Sequence, residues 1–96
     1  EVWRLPATPA GVSPRALLRR LARAGCHEVL LEGGAAIATS WLRAGVIDRI
    51  ALFVAPKVLG AGGLAWPGPL GRAWAGRVAA VGRLGRDLCC MVEREG

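Results

Sequence analysis

Glu32, Gly33 and Gly34 stand between an apolar run, Val29-Leu30-Leu31, and the small residues Ala35 and Ala36, which open a helical pattern through Ile37, Ala38, Thr39 and Ser40. That order of residue types has a chemistry. A buried strand would deliver Glu32 to the carboxyl edge of a sheet, where open α/β sheets place their ligands. Glycines carry no Cβ, so the backbone there can come close to a ligand. A helix starting at the same point aims unsatisfied N–H groups and the positive end of its dipole at one place, which suits a phosphate. Thr39 and Ser40 add hydroxyl donors. By themselves the residues leave a second reading open, a sharp strand-to-helix turn in which the glycines relieve crowding and Glu32 is a solvated acid.

The elements needed to position this segment alternate along the chain. Val2 to Leu5 reads as a short strand ended by Pro6. Ser13 caps a helix whose first position is Pro14, where no hydrogen bond is lost. Leu17, Leu18, Leu21 and Ala24 line one side of it, arginines line the other, and Gly25 closes it. His27 to Leu31 is the strand that delivers Glu32. A second helix runs from about Ala35 to Ala44, with Ile37, Ala38, Trp41 and Leu42 facing a sheet and Gly45 as its stop. Arg49 to Ala55 is an apolar strand expected to be buried on both faces, as a neighbour of Val29 to Leu31. From Lys57 to Gly76 the chain is rich in Gly, Pro and Trp, including Gly60-Ala61-Gly62-Gly63, but no Gly-Lys-Ser/Thr follows as a nucleotide loop would need. Arg77 to Arg83 and Leu88 to Glu93 form an antiparallel hairpin around Leu84-Gly85-Arg86-Asp87.

Composition sets bounds. Ninety-six residues make one small domain, and the chain reads as a piece of something longer. No apolar run is long enough to cross a bilayer and no signal peptide is visible, which points to the cytoplasm. Cys26, Cys89 and Cys90 cannot all pair and read as reduced; without Cys-x-x-Cys, and with His27 as the only histidine, no metal site is expected. The net charge of +6 comes from 12 arginines and one lysine against seven acids. These arginines are scattered, the densest group being one helix face of Arg15, Arg19, Arg20 and Arg23, so a solvated surface is expected rather than a nucleic-acid interface. With no Tyr and one Phe, a base-stacking platform is hard to build.

The motif Val29-Leu30-Leu31-Glu32-Gly33-Gly34, followed by Trp41-Leu42-Arg43-Ala44-Gly45-Val46-Ile47-Asp48-Arg49 and by Val54-Ala55-Pro56-Lys57-Val58-Leu59-Gly60, resembles the C-terminal reductase domain of the bifunctional riboflavin-biosynthesis deaminase/reductase. The resemblance runs from about Trp3 to Glu93. It implies an α/β, dihydrofolate-reductase-like mixed sheet flanked by helices, of which this chain holds the C-terminal half. It also implies NADPH-dependent reduction of 5-amino-6-(5-phosphoribosylamino)uracil to the ribitylamino product, in a homo-oligomeric parent. By position, Glu32 matches the substrate-contacting acid. Gly34, Ala35, Ala36, Ile37, Ala38, Thr39 and Ser40 match the turn and helix start that hold the cofactor phosphates. No side chain is identified as a nucleophile. The family's first half and its zinc deaminase domain lie outside this chain. Two other classes stay open: a related oxidoreductase acting on another pterin or pyrimidine, and a noncatalytic anion-binding module.

Overall fold

The computed structural model describes residues 2–9, 11–60 and 67–95. They divide into two units, one with described residues 2–46 and 67–71, the other with 47–60 and 72–95. Tight local signals build the first. A two-residue antiparallel ladder joins β1 (Ala7–Thr8) to β2 (Gly11–Val12). The Ser13 N–H then donates to the Pro6 carbonyl at 2.9 Å, and the Ser13 hydroxyl accepts from the Ala16 N–H at 3.3 Å. Helix α1 (Pro14–Arg23) follows with its proline in the first turn. It ends in a Schellman motif: Gly25, at φ 93°, donates to Ala22 O and Cys26 donates to Leu21 O, each at 3.0 Å.

Helix α2 (Ala35–Arg43) has Gly34 as its N-cap and closes with the Gly45 N–H on Leu42 O at 3.1 Å. Trp41 and Leu42 are its buried residues. The two helices are tied where the Arg15 guanidinium donates to Ala44 O at 2.6 Å, a cation placed on the negative end of a helix dipole. The segment after Pro67 is held to α2 by Gly68 N–H on the Thr39 hydroxyl (2.8 Å) and by Arg43 Nε on Pro69 O (2.6 Å).

The second unit is a three-stranded antiparallel sheet in the order β3 (Arg49–Val54), β5 (Asp87–Arg94), β4 (Gly76–Leu84). Its hairpin turns at Gly85-Arg86 with Leu84 opposite Asp87; Gly85 sits at φ 63° and Arg86 has no positive φ, the pattern of a II′ turn. Registered partners share a face, so Ile50, Val92 and Val78 form one row and Leu52, Cys90 and Val81 the next on the same side. A bulge between Val78 and Ala80 makes this possible, because three-residue spacing would otherwise put the two valines on opposite faces. The other face carries Arg49, Glu93 and Arg77 in one row.

Helices and hairpin match the sequence reading, whereas two strands do not. Val2 to Leu5 and His27 to Leu31 form no ladder, so Glu32 is not delivered by a paired strand, and Val29 to Leu31 is no neighbour of β3. Apolar residues predispose a segment to be a strand, but a strand exists only where a second backbone supplies hydrogen bonds. Leu30 is accordingly 82% exposed. Likewise β3 is an edge strand of a unit without a helix among the described residues, and it is largely exposed rather than buried on both faces. Ile37, expected to face a sheet, is also exposed. Ala61, Gly62 and Gly63 of the glycine-rich loop lie outside the described residues.

Candidate functional site

The start of α2 is open to an anion. Gly34 has φ −75° and ψ 176°, and no side chain caps the helix. Its first intrahelical bond runs from the Ala38 N–H to Gly34 O at 3.2 Å. The N–H groups of Ala35, Ala36 and Ile37 therefore precede the hydrogen-bonded ladder, and among the described residues they have no partner. A Cβ built on Gly34 would meet nothing within 4 Å. The φ is one that any residue adopts, so what the glycine leaves here is open space at the helix start. At Gly33 a Cβ would lie 3.5 Å from Ile37 Cδ1, ordinary contact that a small residue can make.

Glu32 is exposed two residues before the cap and makes no ion pair among the described residues. Its carboxylate can accept hydrogen bonds from a ligand without first giving up a protein partner.

The remaining expected site residues divide by their bonding. Thr39 donates its hydroxyl proton to Ala35 O at 2.6 Å and accepts from the Gly68 N–H, so this side chain fastens the 67–70 segment to the helix. Ser40 and Ile37 line a shallow cavity of about 360 Å³ with Gly11, Val12, Leu17, Leu31 and Trp41. The sequence reading did not bring Val12 or Leu17 to this place. Leu17 was legible only as part of the apolar stripe of α1, and nothing in the order of residues says which end of that stripe meets α2.

No group of three or more His, Cys, Asp or Glu is placed to hold a metal ion among the described residues, and no helix there is long and apolar enough to cross a membrane.

Two solved structures of Acinetobacter baumannii RibD, forms 2 and 1, superpose on the chain with a TM-score of 0.81 each. They are 24% identical to it, cover 98% and 99% of it, and are themselves covered to 27%. This likeness shows the α/β, dihydrofolate-reductase-like fold that the motifs implied. Riboflavin biosynthesis protein RibD of Aquifex aeolicus (strain VF5) is 36% identical over 52 residues, which is 54% of this chain and 15% of that protein. Its counterpart in Chlamydia muridarum (strain MoPn / Nigg) is 37% identical over 60 residues, 62% of this chain and 16% of that protein. The chain thus matches about a sixth of the length of these curated relatives. The RibD C-terminal domain family matches residues 2–89, and the chain belongs to that family.

Proposed function

We propose that this chain is the C-terminal part of a cytoplasmic reductase of riboflavin biosynthesis, reducing 5-amino-6-(5-phosphoribosylamino)uracil to its ribitylamino product with NADPH. The single observation that carries the reading is the uncapped start of α2, with three N–H groups lacking partners beside the clear space at Gly34. A phosphate fits this arrangement, because oriented amides and the helix dipole favour negative charge and no side chain stands in the way. Gly34, Ala35, Ala36 and Ile37 would hold the cofactor phosphate, with Ala38, Thr39 and Ser40 forming the turn behind them.

When bound, the nicotinamide cofactor supplies the hydride. What this chain's residues contribute is position. Amides fixed in a helix need no rearrangement to meet a phosphate, and Glu32 can accept hydrogen bonds from the hydroxyl or amino groups of a polar pyrimidine substrate. Together they would hold the reacting groups at a fixed distance and angle, a source of rate gain open to a chain that supplies no reacting group of its own.

Gly34→Val tests the cofactor assignment in the full-length protein. A Cβ at Gly34 meets nothing within 4 Å and the backbone there has an ordinary extended conformation, so valine adds bulk at the approach to the amides without a Cβ clash, and circular dichroism confirms that the variant folds. Titration with NADPH should show affinity weakened by about tenfold or more, the scale of a lost hydrogen bond to a charged group. Unchanged affinity in the folded variant places the cofactor elsewhere.

A further inference from the structure

The geometry points to a second anion site, a cleft at the hairpin end of the sheet that takes a phosphate monoester carried on a small organic body. The cleft measures about 540 Å³ and is lined by Pro56, Arg83, Gly85, Arg86, Asp87 and Leu88, all within the second unit. Register explains why they meet. Leu88 pairs with Val54 on one side and Arg83 on the other, and the hairpin reverses immediately beyond at Gly85-Arg86. At the same end β3 stops at Pro56, where the Lys57 N–H donates to Ala55 O at 2.8 Å across a three-residue turn suited to proline's fixed φ.

Charge is divided unevenly along this sheet. At the far end Glu93 pairs with Arg77 at 3.1 Å and Arg49 at 4.0 Å, and Asp48 pairs with Arg94 at 2.9 Å. At the cleft end, among the described residues, neither Arg83 nor Arg86 makes an ion pair or a side-chain hydrogen bond. Asp87 is the one carboxylate in the lining, which leaves it with a net positive charge. Arg83 and Arg86 both line the cleft without an ion pair among the described residues, and a divalent anion bound there would offset the charge of both. Phosphate oxygens match the planar fork of arginine, which can donate two parallel hydrogen bonds. The pyrrolidine of Pro56 and the half-exposed Leu88 give the cleft an apolar flank, which favours a phosphate ester over the free ion. Its volume lies in the range of small-molecule sites.

This site shares no residue with the start of α2, so its failure would leave the cofactor reading intact. The test is a titration of the whole chain with ribose 5-phosphate and, separately, adenosine 2′-monophosphate, followed through backbone amide resonances. Ribose and adenosine serve as the uncharged parents. Saturable shifts at Gly85, Arg86, Asp87 and Leu88 with at least one phosphorylated compound, and none with its parent, are expected; the better binder identifies which kind of ester the cleft prefers. Joint replacement Arg83→Gln and Arg86→Gln should weaken binding about tenfold or more. Asp87→Asn should tighten it, an effect of opposite sign that a general loss of structure cannot produce, and Arg77→Gln at the far end should leave it unchanged. Absence of saturable shifts at millimolar ester, equal shifts with the uncharged parents, or unchanged binding in the double variant would overturn the assignment.

Discussion

Glu32 and Gly34 lie two residues apart and are suited to different ligands. A carboxylate gains nothing beside a phosphate, since like charges repel, so the proposed reading gives the clearance at Gly34 and the charge at Glu32 to two different ligands. Glu32→Gln keeps the shape and removes the charge. In the full-length protein it should lower kcat/KM for the pyrimidine substrate by about 1.5 to 3 kcal/mol, the scale of a lost charged hydrogen bond, while NADPH affinity changes little. Steady-state kinetics paired with a cofactor titration separates the two effects. Intact turnover with collapsed cofactor binding would show that the carboxylate serves the other ligand. That a helix opens directly after Gly34 was readable from residue types, because a helix start next to glycines is a local matter. The structural use of Thr39 was not, since its partner Gly68 lies 29 residues away.

Helices α1 and α2 were legible for the same local reason: Ser13, Pro14, Gly25 and Gly45 fix their ends through bonds spanning a few residues. The hairpin was legible because Leu84-Gly85-Arg86-Asp87 encodes its own reversal. The strand assigned to His27 to Leu31 failed because pairing is decided elsewhere in the chain. The bulge beside Val78 was equally hidden. Its presence shows only as the register change that brings Val78 and Val81 to one face. A further consequence of register appears at Gly76, where an added Cβ would lie 2.6 Å from Glu93 O, 2.7 Å from Val92 Cγ1 and 2.8 Å from Trp74 Cζ3. Trp74 is itself fixed by its indole N–H on Ile47 O at 3.1 Å, and β5 is the central strand, so none of these neighbours can withdraw freely. Gly76→Ala should therefore destabilise the chain by about 1 to 3 kcal/mol, as overpacking does. Chemical denaturation measures it. Stability equal to the original would mean that the start of β4 can shift at no cost.

Across the molecule, a net charge of +6 is combined with an apolar sheet face that the second unit's own elements do not cover. Leu52, Val54, Val78, Val81 and Leu88 share that face and are all exposed, Val78 and Val81 to 60% each. Charge repulsion keeps such chains apart at low salt, but it is screened over about 8 Å at physiological ionic strength, whereas apolar attraction is not screened. The Glu93 ion pairs lie on the opposite face and are exposed, so they offer little compensation in stability. An uncovered face of this kind behaves as a contact surface. The 96-residue chain should accordingly bind an apolar dye and self-associate increasingly as salt is raised, and Val81→Lys, which puts a charge in the middle of the face, should reduce both. Sedimentation velocity at low and high salt, with circular dichroism to confirm that the sheet persists, measures the effect. If the folded Val81→Lys chain associates as strongly as the original, the contact is made by another surface, and the free edge of β3 becomes the place to look.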